Sequence, residues 1–188
     1  MWFMRPLLAA LAIALFALSP ARADQNDARL DRLFAQLAAV RTMPEALAIE
    51  AKITEIWTTS TSDTVNVLMA RAESAMAAQD FATAKKLLDS VAEMKPAYAQ
   101  VWFRRAELLV AMDSQQEAAA DLEKVLDLEP RHFRALAIIG HIAEAAGDKG
   151  AALAAYRRAV MLNPMLEAIA RRAGQLTNDA AEKKPPPT

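Results

Sequence analysis

Pro96–Pro130 reads PAYAQVWFRRAELLVAMDSQQEAAADLEKVLDLEP, and this stretch decides the fold. Ser114-Gln115-Gln116-Glu117 is a capping box that opens a helix partway along it. Glu129-Pro130 closes that helix, as Lys95-Pro96 and Asn163-Pro164 close others. The prolines at 96, 130 and 164 stand 34 residues apart. Other sites keep the same register. Small residues recur at Ala84, Ala118 and Ala152, followed by Leu88, Leu122 and Tyr156 and then by Val91, Val125 and Ala159. Upstream come Ala72, Ala106 and Gly140, with Leu68, Trp102 and Leu136 ahead of them.

A period of 34 with small residues at fixed places in two helices, and proline after the second, resembles the tetratricopeptide repeat (TPR). The resemblance covers Val65 to about Leu166 and implies three units, 65–98, 99–132 and 133–166. Each is expected to be an antiparallel helix pair whose small residues allow close crossing, Ala72 against Ala84 and Gly140 against Ala152. Asp80 is placed to cap one second helix, and Gly147-Asp148 to end one helix and start the next. The fold expected is therefore an all-α solenoid.

The flanks extend it. Leu30, Leu33, Phe34 and Leu37 form one helical stripe, and Ala46, Ile49, Ile53, Ile56 and Trp57 another. Thr42-Met43-Pro44-Glu45 reads as a capping box between them. Residues 24–64 are thus a helix pair with a polar linker, either a degenerate repeat or an N-terminal cap of the solenoid. Ser62 or Asp63 caps the helix that follows the linker. A final capping helix runs from Met165 to about Leu176, and 177–188 read as a disordered tail ending in three prolines.

Composition agrees with this class. The chain has 188 residues, 44 of them Ala and only four Gly, which favours helices over a sheet fold. A net charge of −1 argues against nucleic-acid binding. Zero Cys removes thiol and zinc-knuckle chemistry. The start of the chain is of another kind. Arg5, the uncharged run Leu7 to Leu18, Ser19-Pro20 and Ala21-Arg22-Ala23 match a secretory signal over residues 1–23. Twelve apolar residues make a helix of about 18 Å, short of the roughly 30 Å hydrocarbon core. Cleavage after Ala23 leaves no membrane span and moves the net charge to −3. The expected address is a bacterial periplasm, with secretion as the second choice.

Little in the sequence suggests catalysis. His132 and His141 are nine apart, not the i, i+4 pair of a helical zinc site. His141 and Glu144 share a helix face, but two ligands do not make a metal site. No G-x-S-x-G, Walker or dinucleotide pattern occurs. Glu50 and Glu55 have no apolar pocket to separate their pKa values. No catalytic residue, cofactor or metal is expected. Arg104-Arg105 and the other basic pairs read as solubilising faces.

The TPR resemblance implies a working surface, because the first helix of each unit lines a concave groove in that family. Asn66, Met69, Glu73 and Met76 would come from the first unit. Gln100, Phe103, Glu107 and Val110 would come from the second, with Arg134, Ala137, His141 and Glu144 from the third. Methionine gives an adaptable contact surface, and Phe103 is the anchor candidate; Met69 and Phe103 either face this groove or pack on the neighbouring unit. The carboxylate clamp of chaperone-binding TPRs is not expected, since Met69, Ala70, Glu73, Arg104 and Ile138 occupy the corresponding places. Only Arg134 offers a clamp cation. The reading is an exported scaffold or adaptor that binds a protein or peptide with an apolar face and some positive charge. The alternatives are a self-associating homo-oligomeric solenoid, or a periplasmic enzyme or metal carrier using His141 and Glu144.

Overall fold

A computed structural model describes residues 27–182. The signal-like residues 1–23 and the last six residues of the tail lie outside them. Among the described residues there are nine helices and no strand. They are α1 (Arg29–Ala39), α2 (Met43–Thr58), α3 (Asp63–Ala77), α4 (Phe81–Met94), α5 (Ala99–Ala111), α6 (Gln115–Leu128), α7 (Phe133–Ala145), α8 (Lys149–Leu162) and α9 (Glu167–Glu182). The pairs α3–α4, α5–α6 and α7–α8 are the repeating units, and α9 packs on α8. No described helix is long and apolar enough to cross a membrane.

One turn builds all three units. Gln79, Asp113 and Gly147, spaced by the repeat, take left-handed backbone with φ of 57°, 59° and 83°. The next amide reaches back over the helix end: Asp80 N–H to Ala75 O at 2.9 Å, Ser114 N–H to Leu109 O at 2.8 Å, Asp148 N–H to Ala143 O at 2.9 Å. This closes the first helix in a Schellman motif and makes the following residue the N-cap of the second. Asp80 and Asp148 accept from the amides of Thr83 and Ala151. Ser114 holds the cap position without a side-chain bond, and so does Thr42. Neither expected capping box forms. Ser62 caps α3 as expected.

The small positions do what close crossing requires. Ala72 and Ala84 are fully buried in the first core cluster, and Ala106 and Ala118 in the third. The last unit departs from this scheme. A Cβ built at Gly140 would run into the ring of Tyr156, so Gly140 makes room for an aromatic ring.

Two expectations for the flanks are corrected. The tail is helical as far as Glu182, because its first turns are tied to α8: Arg157 donates to Thr177 Oγ1 at 3.1 Å and Lys149 pairs with Asp179 at 2.9 Å. The N-terminal hairpin α1–α2 neither caps the solenoid end nor adds a stacked repeat. It lies along the edge formed by the three loops that leave α4, α6 and α8. Lys95 Nζ donates to Ser60 Oγ at 2.7 Å, and Tyr98 Oη–H to Thr58 O at 2.8 Å. At the second loop Arg131 bridges Glu129 and Asp31, and Phe133 inserts between Phe34 and Trp57. At the third, Asn163 Nδ2 donates to Glu50 Oε1 at 2.6 Å, and Leu162, Met165 and Leu166 pack on the hairpin core. Tyr98, His132 and Leu166 are equivalent positions of the repeat, and each touches or packs against the hairpin.

Candidate functional site

The face made by α3, α5 and α7 carries two recesses. The first, about 320 Å³, is lined by Asn66, Met69, Ala70 and Glu73 of α3, Gln100 of α5, and Thr58 and Thr59 from the end of α2. The second, about 520 Å³, lies between α5 and α7. Val110, Ile138, Ile142 and Ala145 give it an apolar floor, with Glu107, Gln115 and His141 at its rim. Arg104 bridges the two, bonded to Glu73 at 3.0 Å and to Glu107 at 2.8 Å. Two carboxylates share one guanidinium here, and the guanidinium of Arg134 beside them offsets the remaining negative charge.

The nine expected binding residues divide sharply. Glu73, Glu107, Arg134 and His141 present polar atoms on or beside this face. Arg134 is exposed, its guanidinium 5.6 Å from the Phe103 ring, and has no ion-pair partner among the described residues. Asn66 lines the first recess, but its amide is spent on the linker. Its Oδ1 accepts from Ser60 N–H and its Nδ2 donates to Ser60 O, both at 2.9 Å. Met69 and Gln100 are buried at the bottom of the first recess, and Met76 packs half-buried on the first core. Phe103 is corrected outright as an exposed anchor. It is 1 % exposed, beneath the His132 ring at 4.3 Å, which is itself covered by Trp57.

His132 is the functional-looking residue with a structural job. Its Nδ1 accepts from Ala135 N–H at 3.1 Å and caps α7, which places the proton on Nε2. Burial, with Arg134 and Arg104 adding repulsion, pushes its pKa down to about 3. Arg104 and Arg105, expected on a solvated face, are both engaged. Arg105 makes two bonds to buried Asp121 at 2.7 Å, a third to Asp89 at 2.9 Å, and lies over the Trp102 ring.

His141 and Glu144 do meet, but through a third residue. Tyr156 Oη lies 2.8 Å from His141 Nδ1 and donates to Glu144 Oε2 at 3.0 Å. Arg172 of α9 holds the other Glu144 oxygen, Oε1. The Arg172 bonds keep the Glu144 carboxyl below its ordinary range, while burial and Glu144 raise the Tyr156 hydroxyl to about 12. Among the described residues no three His, Cys, Asp or Glu side chains gather to hold a metal. Tyr156 and Arg172 carried no sequence signal for this role, since Tyr156 reads as a core position and Arg172 as half of a basic pair.

Comparison with known proteins fits this architecture. A tetratricopeptide repeat family model matches residues 99–132 and 133–164. A TPR repeat-containing protein of Rhizobium etli is 36 % identical over 155 residues, which span 82 % of this chain and 74 % of that one. Among solved structures, MamA aligns with a TM-score of 0.58 at 20 % identity, over 64 % of this chain and 66 % of MamA. The first TPR of Spaghetti (RPAP3), bound to an HSP90 peptide, aligns with a TM-score of 0.60 at 16 % identity, over 64 % and 95 % of the two chains. The TPR2B domain of yeast Sti1, in complex with pHsp70, aligns with a TM-score of 0.55 at 22 % identity, over 65 % and 100 %. At such identities the solved structures speak to the fold alone.

Proposed function

Because the chain belongs to the tetratricopeptide repeat family, we propose that it is a non-catalytic scaffold or adaptor of the bacterial cell envelope. In this reading it binds a partner peptide or helix along its α3–α5–α7 face. The observation that carries the reading is the pair of open recesses on that face, supplied by successive units and bridged by Arg104. Solved TPR domains found with peptide partners support it by analogy. An apolar floor with acidic groups beside it suits a partner with an apolar side and some positive charge. The signal pattern over residues 1–23 supports the envelope setting.

Crosslinking in intact cells tests the reading by comparing the natural chain with a Glu73→Lys, Val110→Lys double variant. Both side chains are exposed, so the variant should keep its melting curve. Loss of particular partners from the variant is the expected result, and an identical partner set in both sinks the groove reading. Export is checked separately, since the protein recovered from cells should begin at Asp24.

A further inference from the structure

The rim of the second recess is more selective than its apolar floor suggests. Tyr156 has one hydroxyl proton and two neighbours, Glu144 Oε2 and His141 Nδ1. An ionised carboxylate only accepts, so the proton goes to Glu144. His141 Nδ1 must then donate to Tyr156 Oη, because two bare lone pairs would otherwise face each other at 2.8 Å. A neutral imidazole carries one ring proton, so Nε2 of His141 is left as a bare acceptor. Arg172 anchors the relay from α9 by holding Glu144. The two rings meet edge-on, 5.2 Å apart and 69° from parallel. Glu107, on the same rim, is also an acceptor.

We propose that the second recess is a docking subsite for an apolar side chain flanked by a lysine or arginine, and that His141 Nε2 reads the flanking donor. The proposal rests on the groove reading and adds to it the chemistry of one contact. Ile138, Ile142 and Val110 take the apolar group. His141 and Glu107 together favour an N–H donor and disfavour a carboxylate, to which the Gln115 amide alone among the three rim side chains could donate. Tyr156 and Arg172 are positioning residues that set which ring nitrogen faces outward.

The test begins on the free protein. Long-range 15N NMR of the labelled protein at pH 8 reads the tautomer of both histidines. His141 should be protonated on Nδ1 and His132 on Nε2, an opposite pair that serves as an internal reference. A Tyr156→Phe variant keeps the ring and removes the relay, and should shift His141 toward the other tautomer. Two synthetic helical peptides follow, with the same leucine face and with either lysine or glutamate beside each leucine. The lysine peptide should perturb Ile138, Ile142 and His141 and bind about tenfold more tightly or better, as a charge-assisted hydrogen bond implies. His141→Leu should reduce that preference to within about twofold, the residue left by Glu107. An Nε2-protonated His141, or a preference that survives His141→Leu, overturns the proposal while leaving the groove reading intact. A correct tautomer with neither peptide perturbing this face overturns both.

Discussion

The indole of Trp57 lies on the imidazole of His132, 4.2 Å between ring centroids and 9° from parallel. Trp57 belongs to the N-terminal hairpin and His132 to the loop that starts the third repeat, so one contact fastens two parts of the chain. Phe34 and Phe133 close around the same indole, at 6.0 and 5.7 Å between centroids. Replacing Trp57 by Ala should therefore cost about 3–5 kcal/mol. Urea unfolding gives the total, and amide exchange gives its place. Protection should fall first in α1 and α2 and least in α6. A loss below about 1 kcal/mol would show that the hairpin is held elsewhere.

The same stack makes the fold sensitive to acid. The pKa of His132 is pushed down to about 3 when folded, against about 6.5 in an unfolded chain. The unfolded state binds this proton first, so stability falls as pH drops from about 6.5 towards 3. The limiting slope is about 1.4 kcal/mol per pH unit for one proton. Carboxylates held below their ordinary range begin to add their own loss below about pH 5. The window between about 6 and 5 therefore isolates His132. A His132→Asn variant keeps an N-cap acceptor but does not titrate, and its stability should be flat across that window. An equal slope in both proteins would remove His132 as the cause.

The repeat was legible because its physics is local and recurs. Ala106 and Ala118 cross within one unit, and the 34-residue spacing displays the same demand three times. The hairpin's position was not legible, because its partners are remote and do not repeat: Asp31 with Arg131, Glu50 with Asn163, Trp57 with His132. That gap also explains Phe103. Its place on the first helix of a unit points it to the groove by family geometry, but His132 and Trp57 cover it. Asn66 misled in a similar way, since only the fold shows that both ends of its amide are bound to Ser60.

Each unit's turn needs a left-handed residue, and only the third supplies glycine. Gln79 and Asp113 adopt φ near 57° and 59° against the preference of side-chain-bearing residues. Asp113→Gly should stabilise the protein by about 0.5–1 kcal/mol, the relief of left-handed strain less the added freedom of the unfolded chain. Thermal melts of Asp113→Gly and Gly147→Ala should move in opposite directions. The caps after these turns divide in the same experiment. Asp148→Ala should cost about 1 kcal/mol and Ser114→Ala only a few tenths, since Ser114 makes no side-chain cap bond. A large loss at Ser114 would contradict the observed turn.

Gly140 and Tyr156 are a matched pair where the other units use Ala with Leu, at Ala72 and Leu88 and at Ala106 and Leu122. In an open helix Gly→Ala stabilises by about 1 kcal/mol. Here the new methyl would meet the Tyr156 ring, and overpacking of that kind costs about 1–3 kcal/mol. Gly140→Ala should accordingly destabilise by up to about 2 kcal/mol once propensity is offset. Tyr156→Leu alone leaves a void and breaks the bonds to His141 and Glu144, so it is destabilising too. Together the two changes rebuild the Ala and Leu pairing of the preceding units. The double variant should be more stable than either loss added to the other, with a coupling of about 1–3 kcal/mol. Additive losses would mean that the ring turns aside and that glycine is not required by Tyr156.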